Sequence, residues 1–283
     1  MKFGINGWCW SYPFYEEKMF RLAISKAKML DFDGIEVPVE DPEKLDVKGL
    51  RKTLDSYGIP CSSICSVFPP DRDLITHDAP IRENCKKYIK KNIKIASELG
   101  ADVVVVIPSA VGKLDTILAR EDEWKLAVEG LRELGAFAAD YGIYLTIEPL
   151  NRFETYFINL LPDAVKLAKD VNHPNVKVMI DTFHMNIEDD KLGEEIKMAG
   201  ELIFHCHANE NDRGAPGSGH IPFAEIFEAL KAIQYNRWLI IETFIPGIKE
   251  IAKAASIWRP LAPDQDTLAR EGLKYLRSLW SRV

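Results

Sequence analysis

Eight short apolar runs punctuate the chain, each rich in β-branched residues: 2–6 (KFGIN), 34–39 (GIEVPV), 59–65 (IPCSSIC), 102–107 (DVVVVI), 143–148 (IYLTIE), 176–181 (VKVMID), 202–207 (LIFHCH) and 238–243 (WLIIET). Near-continuous apolarity over so few residues is the pattern of strands covered on both faces. Between them lie longer segments with apolar groups at helical spacing, among them 16–30, 81–100, 123–142, 223–233 and 266–280. Two of these close on Gly100 and Gly142, which read as glycines just past a helix end. Strands alternating with helices eight times over predict a (β/α)8 barrel, a single domain over 1–283. An open doubly wound sheet would favour a GxGxxG turn after the first strand; "GINGWCW" has none, and no GxxxxGK[ST] occurs. The stretch 258–266 (WRPLAPDQD) reads as a loop before the last helix.

With 283 residues, 47% of them hydrophobic, the chain can bury a large core. A formal net charge of −7 disfavours a nucleic-acid partner, which calls for a basic surface. The five cysteines include no CxxC pair, so neither a disulfide framework nor a thiolate zinc site is expected. No secretory apolar region opens the sequence, and no run approaches the roughly 20 residues of a membrane span. These features together predict a soluble cytoplasmic protein with no membrane partner.

In such a barrel the chemistry sits where strands end at the C-terminal mouth. The fifth run ends in Glu148, the sixth in Asp181, the seventh in His207 and the eighth reaches Glu242. A lone acid at a strand end is ordinarily a helix cap or a solvated rim group. Four successive strands presenting three carboxylates and an imidazole are another matter, because unpaired carboxylates crowded in a mouth repel one another and suffer desolvation. A divalent cation relieves both costs. Three oxygens, one nitrogen and no thiolate suit Mn²⁺, Co²⁺ or Mg²⁺; Zn²⁺ more often recruits extra His or Cys. Glu148 and Glu242, three strands apart, can also face each other across a substrate. One would remove a proton from carbon and the other return it on the opposite face, which inverts the centre.

The segments "IEPLNRFET", "MIDTFHMNIED", "HCHANENDRGAPGSGHIPF" and "IIETF" resemble the D-tagatose 3-epimerase and D-allulose (psicose) 3-epimerase group of the xylose-isomerase-like TIM-barrel superfamily. They span the second half of the chain in order; the first half fits at the level of the fold. The resemblance implies a metal-dependent isomerase acting at C3 of a free ketohexose or ketopentose through an enediolate. It implies Glu148, Asp181, His207 and Glu242 as ligands of Mn²⁺ or Co²⁺, and Glu148 and Glu242 as acid/bases. Glu154, His184 and Arg213 would bind the O1/O2 end of the sugar, and the assembly would be a homodimer or homotetramer. Independently, Arg213 lies in a Gly/Pro-rich loop suited to wrapping a ligand, and its guanidinium can donate to enediolate oxygens.

His205, two residues before His207, is expected one layer deeper on the same side, in a polar supporting role. Glu36, Glu210 and His220 read as rim residues. The loop 107–115 (IPSAVGKLD) lacks the aromatic residue common in this group, which shifts contact with the far end of the sugar to Trp8, Trp10, Tyr12, Phe14, Phe68 or Phe244. Three other readings compete. One is another sugar isomerase or an inosose-type dehydratase. A second is a phosphodiesterase like the AP endonucleases of the same superfamily, which would need more than six histidines and a basic face. A third is a binding protein without catalysis, which the Glu148/Glu242 pair argues against.

Overall fold

A computed structural model describes residues 1–115, 120–249 and 255–283. Eight parallel strands close into a barrel in sequence order: β1 Lys2–Asn6, β2 Gly34–Val39, β3 Cys61–Ser66, β4 Val103–Val106, β5 Tyr144–Ile147, β6 Val176–Asp181, β7 Ile203–His207 and β8 Trp238–Ile241. Closure comes from β1 pairing with β8, Lys2 opposite Trp238 through Ile5 opposite Ile241. The expected barrel is therefore the observed one, with boundaries moved by one or two residues. β3 starts at Cys61, and Glu148 and Glu242 stand just beyond β5 and β8.

The helices among the described residues are α1 Glu17–Met29, α2 Val47–Tyr57, α3 Ala79–Leu99, α4 Arg120–Ala139, α5 Leu161–Val171, α6 Thr182–Glu188, α7 Leu192–Ala199, α8 Phe223–Ala232 and α9 Gln265–Arg282. Their ends follow local chemistry. Asp78 accepts a hydrogen bond from Ile81 N at the start of α3, and Gly100 ends it in the left-handed region at φ 75°. Val103–Val106 is buried throughout, as a β-branched strand covered on both faces must be. Phe14, Phe20, Phe157, Phe223 and Phe227 fill the layer between barrel and helices, each with under 2% of its surface exposed.

One packing detail near the mouth carries a pH signature. Asp189 ends α6, and its Oδ1 accepts from Leu161 N (3.1 Å) at the head of α5. Burial, and then the neighbouring Glu195 carboxyl, push the Asp189 pKa up to about 9. An unfolded aspartate titrates near about 3.9, so ionising Asp189 within the fold costs stability. The contribution is fully present below about pH 4 and is lost as pH rises toward about 9. Asp189→Asn keeps the oxygen that accepts from Leu161 and cannot ionise. Its melting temperature is expected to exceed the parent's by several degrees at pH 8, and the gap should close near pH 4. A gap as wide at pH 4 as at pH 8 in circular-dichroism melts would contradict this.

Candidate active site

Asp181 is the last residue of β6 and the cap of α6. Its Oδ1 accepts from Phe183 N (2.8 Å) and His184 N (3.4 Å), which leaves Oδ2 facing the mouth. That abrupt strand-to-helix turn also brings His184 over the barrel. On the next stave His207 presents Nδ1 to the same point, 3.5 Å from Asp181 Oδ2, 3.5 Å from Glu242 Oε2 and 3.9 Å from Glu148 Oε1. All four residues are buried, none with more than 6% of its surface exposed.

These distances suit a shared cation. Ligand atoms held about 2.1 Å from one octahedral ion lie roughly 3.0 Å apart when adjacent and about 4.2 Å apart when opposite. Glu148, Asp181 and His207 each offer a donor atom within 4.8 Å of the others. His207 Nδ1 is buried without a hydrogen-bond partner, a state that ligation would satisfy. A hard-oxygen set with one imidazole therefore fits a divalent ion of the Mn²⁺, Co²⁺ or Mg²⁺ type.

Arg213 is the principal protein cation against this set. Its Nη1 donates to Asp181 Oδ2 (2.6 Å) and Glu242 Oε2 (2.8 Å), and its Nη2 faces His184 Nε2 (3.0 Å). Glu210 shapes the loop that delivers it, accepting from Gly217 N (2.7 Å) and Ile221 N (3.3 Å). Arg213 itself sits at φ 66°, a left-handed conformation that a tight loop imposes. Asn209, one residue past Ala208, bridges two staves: Nδ2 donates to Asp181 Oδ2 (3.0 Å) and Oδ1 accepts from Glu242 N (2.8 Å). Asn151 ties Glu154 and His184 together, donating from Nδ2 to Glu154 Oε1 (3.0 Å) and lying 2.9 Å from His184 Nδ1.

The electrostatics separate the carboxylates. Burial pushes Glu148 well above the usual carboxylate range; His207 opposes that, while Glu242 and Asp181 add to it. Burial alone would raise Asp181 too, but Arg213, then His184 and His207, hold it well below. Burial disfavours charge on both histidines. It leaves His184 below the ordinary imidazole value, whereas the carboxylates around His207, Glu36 first, hold that ring well above it. Crowding of buried acids and bases of this kind is characteristic of sites that move protons.

A cavity of about 540 Å³ opens above these groups. Its lining includes Glu148, Glu154, His184, Arg213 and Glu242 together with the apolar Trp8, Phe68, Ile107, Val111 and Phe244. The structure thus brings the seven sequence-nominated residues together: five line the cavity, and Asp181 and His207 bond to or face those five from below. Of the aromatic candidates, Trp8, Phe68 and Phe244 reach the cavity, with Trp8 stacked on Phe244 at 5.7 Å. Phe14 is wholly buried in the core, and Trp10 turns its Nε1 to Asp266 (2.8 Å). In place of an aromatic, loop 107–115 offers Ile107 and Val111 and is tied down through Gly112 N to Glu154 O (2.7 Å).

One of the three rim assignments requires correction. Glu36 is inside the barrel, not on its rim, with no exposed surface. His220 is exposed and lies 3.2 Å from Asn186 Oδ1. Glu210 serves the loop backbone. Cys65, Asn151 and Asn209 carried no sequence signal of their own; Cys65 Sγ lies 3.7 Å from Glu242 Oε1.

Comparison with known proteins agrees with this fold. Residues 24–279 match the family model for the xylose isomerase-like TIM barrel. The chain is 32% identical to a D-psicose 3-epimerase of Ruminiclostridium cellulolyticum over 96% of this chain and 94% of that one. It is 30% identical to a probable ketose 3-epimerase of Synechocystis sp. over 99% and 97%. A crystal structure of D-allulose 3-epimerase from Methylomonas sp. in complex with D-allulose superposes with a TM-score of 0.92 at 28% identity, covering 98% of this chain and 96% of the other.

Proposed function

Because the chain belongs to the xylose isomerase-like TIM barrel family, we propose that it is a metal-dependent ketose 3-epimerase that inverts C3 of a free ketohexose or ketopentose. The observation that carries the reading is the meeting of Glu148, Asp181, His207 and Glu242, from four successive staves, around the unpartnered Nδ1 of His207. These four are the residues that would hold the divalent ion. When bound, the ion supplies Lewis-acid polarisation of the sugar carbonyl and its neighbouring hydroxyl, worth several kcal/mol.

The chain's own groups do the rest. Glu148 and Glu242 approach the site from staves β5 and β8, so each can address one face of C3. One carboxylate takes the C3 proton; the other, as a carboxylic acid, delivers a proton to the opposite face. Negative charge gathering on the enediolate oxygens meets Arg213, whose guanidinium is pre-aimed into the site by Glu210 and its loop. Glu154 and His184, tied through Asn151, hold the O1/O2 end. Trp8, Phe68 and Phe244 cover the far end and exclude water from the carbanion equivalent.

Incubation of a ketohexose and ketopentose panel in D₂O with Mn²⁺ tests this reading. One sugar should yield a diastereomer of unchanged skeleton with deuterium at C3 by NMR. A product lighter by one water would assign a dehydratase instead, and exchange confined to C1 an aldose–ketose isomerase.

A further inference from the structure

Beneath the rim, one carboxylate gathers four donors from three staves. Glu36 on β2 accepts from Asn6 Nδ2 of β1 (2.8 Å), from Ser63 Oγ of β3 (2.7 Å), and from two histidines of β7, His205 Nε2 (2.8 Å) and His207 Nε2 (3.3 Å). Asn6 and Ser63 are its direct register neighbours, so they are fixed by strand pairing. The histidines reach it across the interior. Glu36, His205 and His207 all have no exposed surface. Among the described residues no lysine or arginine contacts the Glu36 carboxylate, so these N–H and O–H groups are its compensation.

The two faces of His207 are therefore unlike. Nε2 is engaged from below by a carboxylate, which can only accept, while Nδ1 looks up at Asp181, Glu148 and Glu242 with no hydrogen-bond partner. In the neutral ring that ligation requires, a carboxylate beneath Nε2 keeps the hydrogen there, which leaves the Nδ1 lone pair for the mouth. We infer that Glu36 is a positioning residue: it fixes the orientation and tautomer of His207 so that Nδ1 is offered to a metal ion. The inference rests on the reading that His207 is a ligand.

Glu36→Gln is the discriminating change. It preserves shape but replaces one acceptor oxygen with an N–H₂ group. Either His207 loses its acceptor, or the ring shifts its hydrogen to Nδ1 and turns a donor toward the cation. Calorimetric titration of the metal-stripped full chain with Mn²⁺ should show affinity reduced ~10–100-fold in the variant, with its metal-free circular-dichroism spectrum unchanged. A second measurement needs no variant at Glu36. In the ¹⁵N-histidine protein loaded with diamagnetic Mg²⁺, the ring signal that disappears in His207→Gln should carry its proton on Nε2. Glu36→Gln binding Mn²⁺ within threefold of the parent, or a His207 proton found on Nδ1, overturns the inference. Failure of the metal reading looks different: the parent itself then takes up no divalent ion.

Discussion

Glu242→Gln and Glu148→Gln are each expected to lower kcat by ~10²–10⁴-fold, the range supplied by a positioned acid or base, while the barrel remains folded. The carboxamide keeps an oxygen for Arg213 Nη1, which sits 2.8 Å from Glu242 Oε2, so the loop that carries the arginine retains its anchor. What the amide lacks is basicity, and the proton-transfer step depends on that. Each side chain also faces His207 Nδ1, so the change weakens the ion as well and the two losses compound. Steady-state kinetics with excess Mn²⁺, paired with thermal melts, separates chemistry from folding. Near-parental kcat in both variants would refute the two-base mechanism.

Removal of divalent ions by EDTA is expected to abolish turnover, and Mn²⁺ or Co²⁺ to restore it. The physical reason lies in the crowding. Glu148, Asp181 and Glu242 share a buried site in which Arg213 contacts Asp181 and Glu242, and Glu148 is already driven toward its protonated form. A ligated ion both neutralises these acids and binds the folded state alone. At about 100 times its Kd it adds ~2.7 kcal/mol of stability, roughly 5 °C in melting temperature for a chain of this size. Turnover undiminished after exhaustive metal removal, with a melting curve indifferent to Mn²⁺, would contradict the account.

The barrel was legible because each stave is covered on both faces and so reads as an unbroken apolar run, Val103–Val106 most plainly. Strand ends were less legible, since a carboxylate that leaves the ladder by one residue still looks like the strand's last position; Glu148 and Glu242 are such cases. The rim set stood out because four successive runs end in an acid or an imidazole, where a lone one would read as a helix cap. Glu36 was misplaced for the opposite reason. It interrupts the run "GIEVPV" in the middle, and a single acid there reads as an edge residue unless its partners are known. Those partners come from β1, β3 and β7, and a pattern read along one strand cannot report on the stave across the barrel. The i, i+2 pair His205/His207 pointed inward in the same way; setting it beside a buried mid-strand acid would have exposed the pairing. Asn151 and Asn209 act through distances between loops, which spacing along the chain does not encode.

The most direct measurement is an anomalous difference map from a crystal of the full chain equilibrated with Mn²⁺. The account predicts one strong peak at the mouth, about 2.1–2.2 Å from His207 Nδ1 and from oxygens of Glu148, Asp181 and Glu242. A peak lodged instead between Glu36, His205 and His207 Nε2, or no peak at all at saturating Mn²⁺, would contradict it.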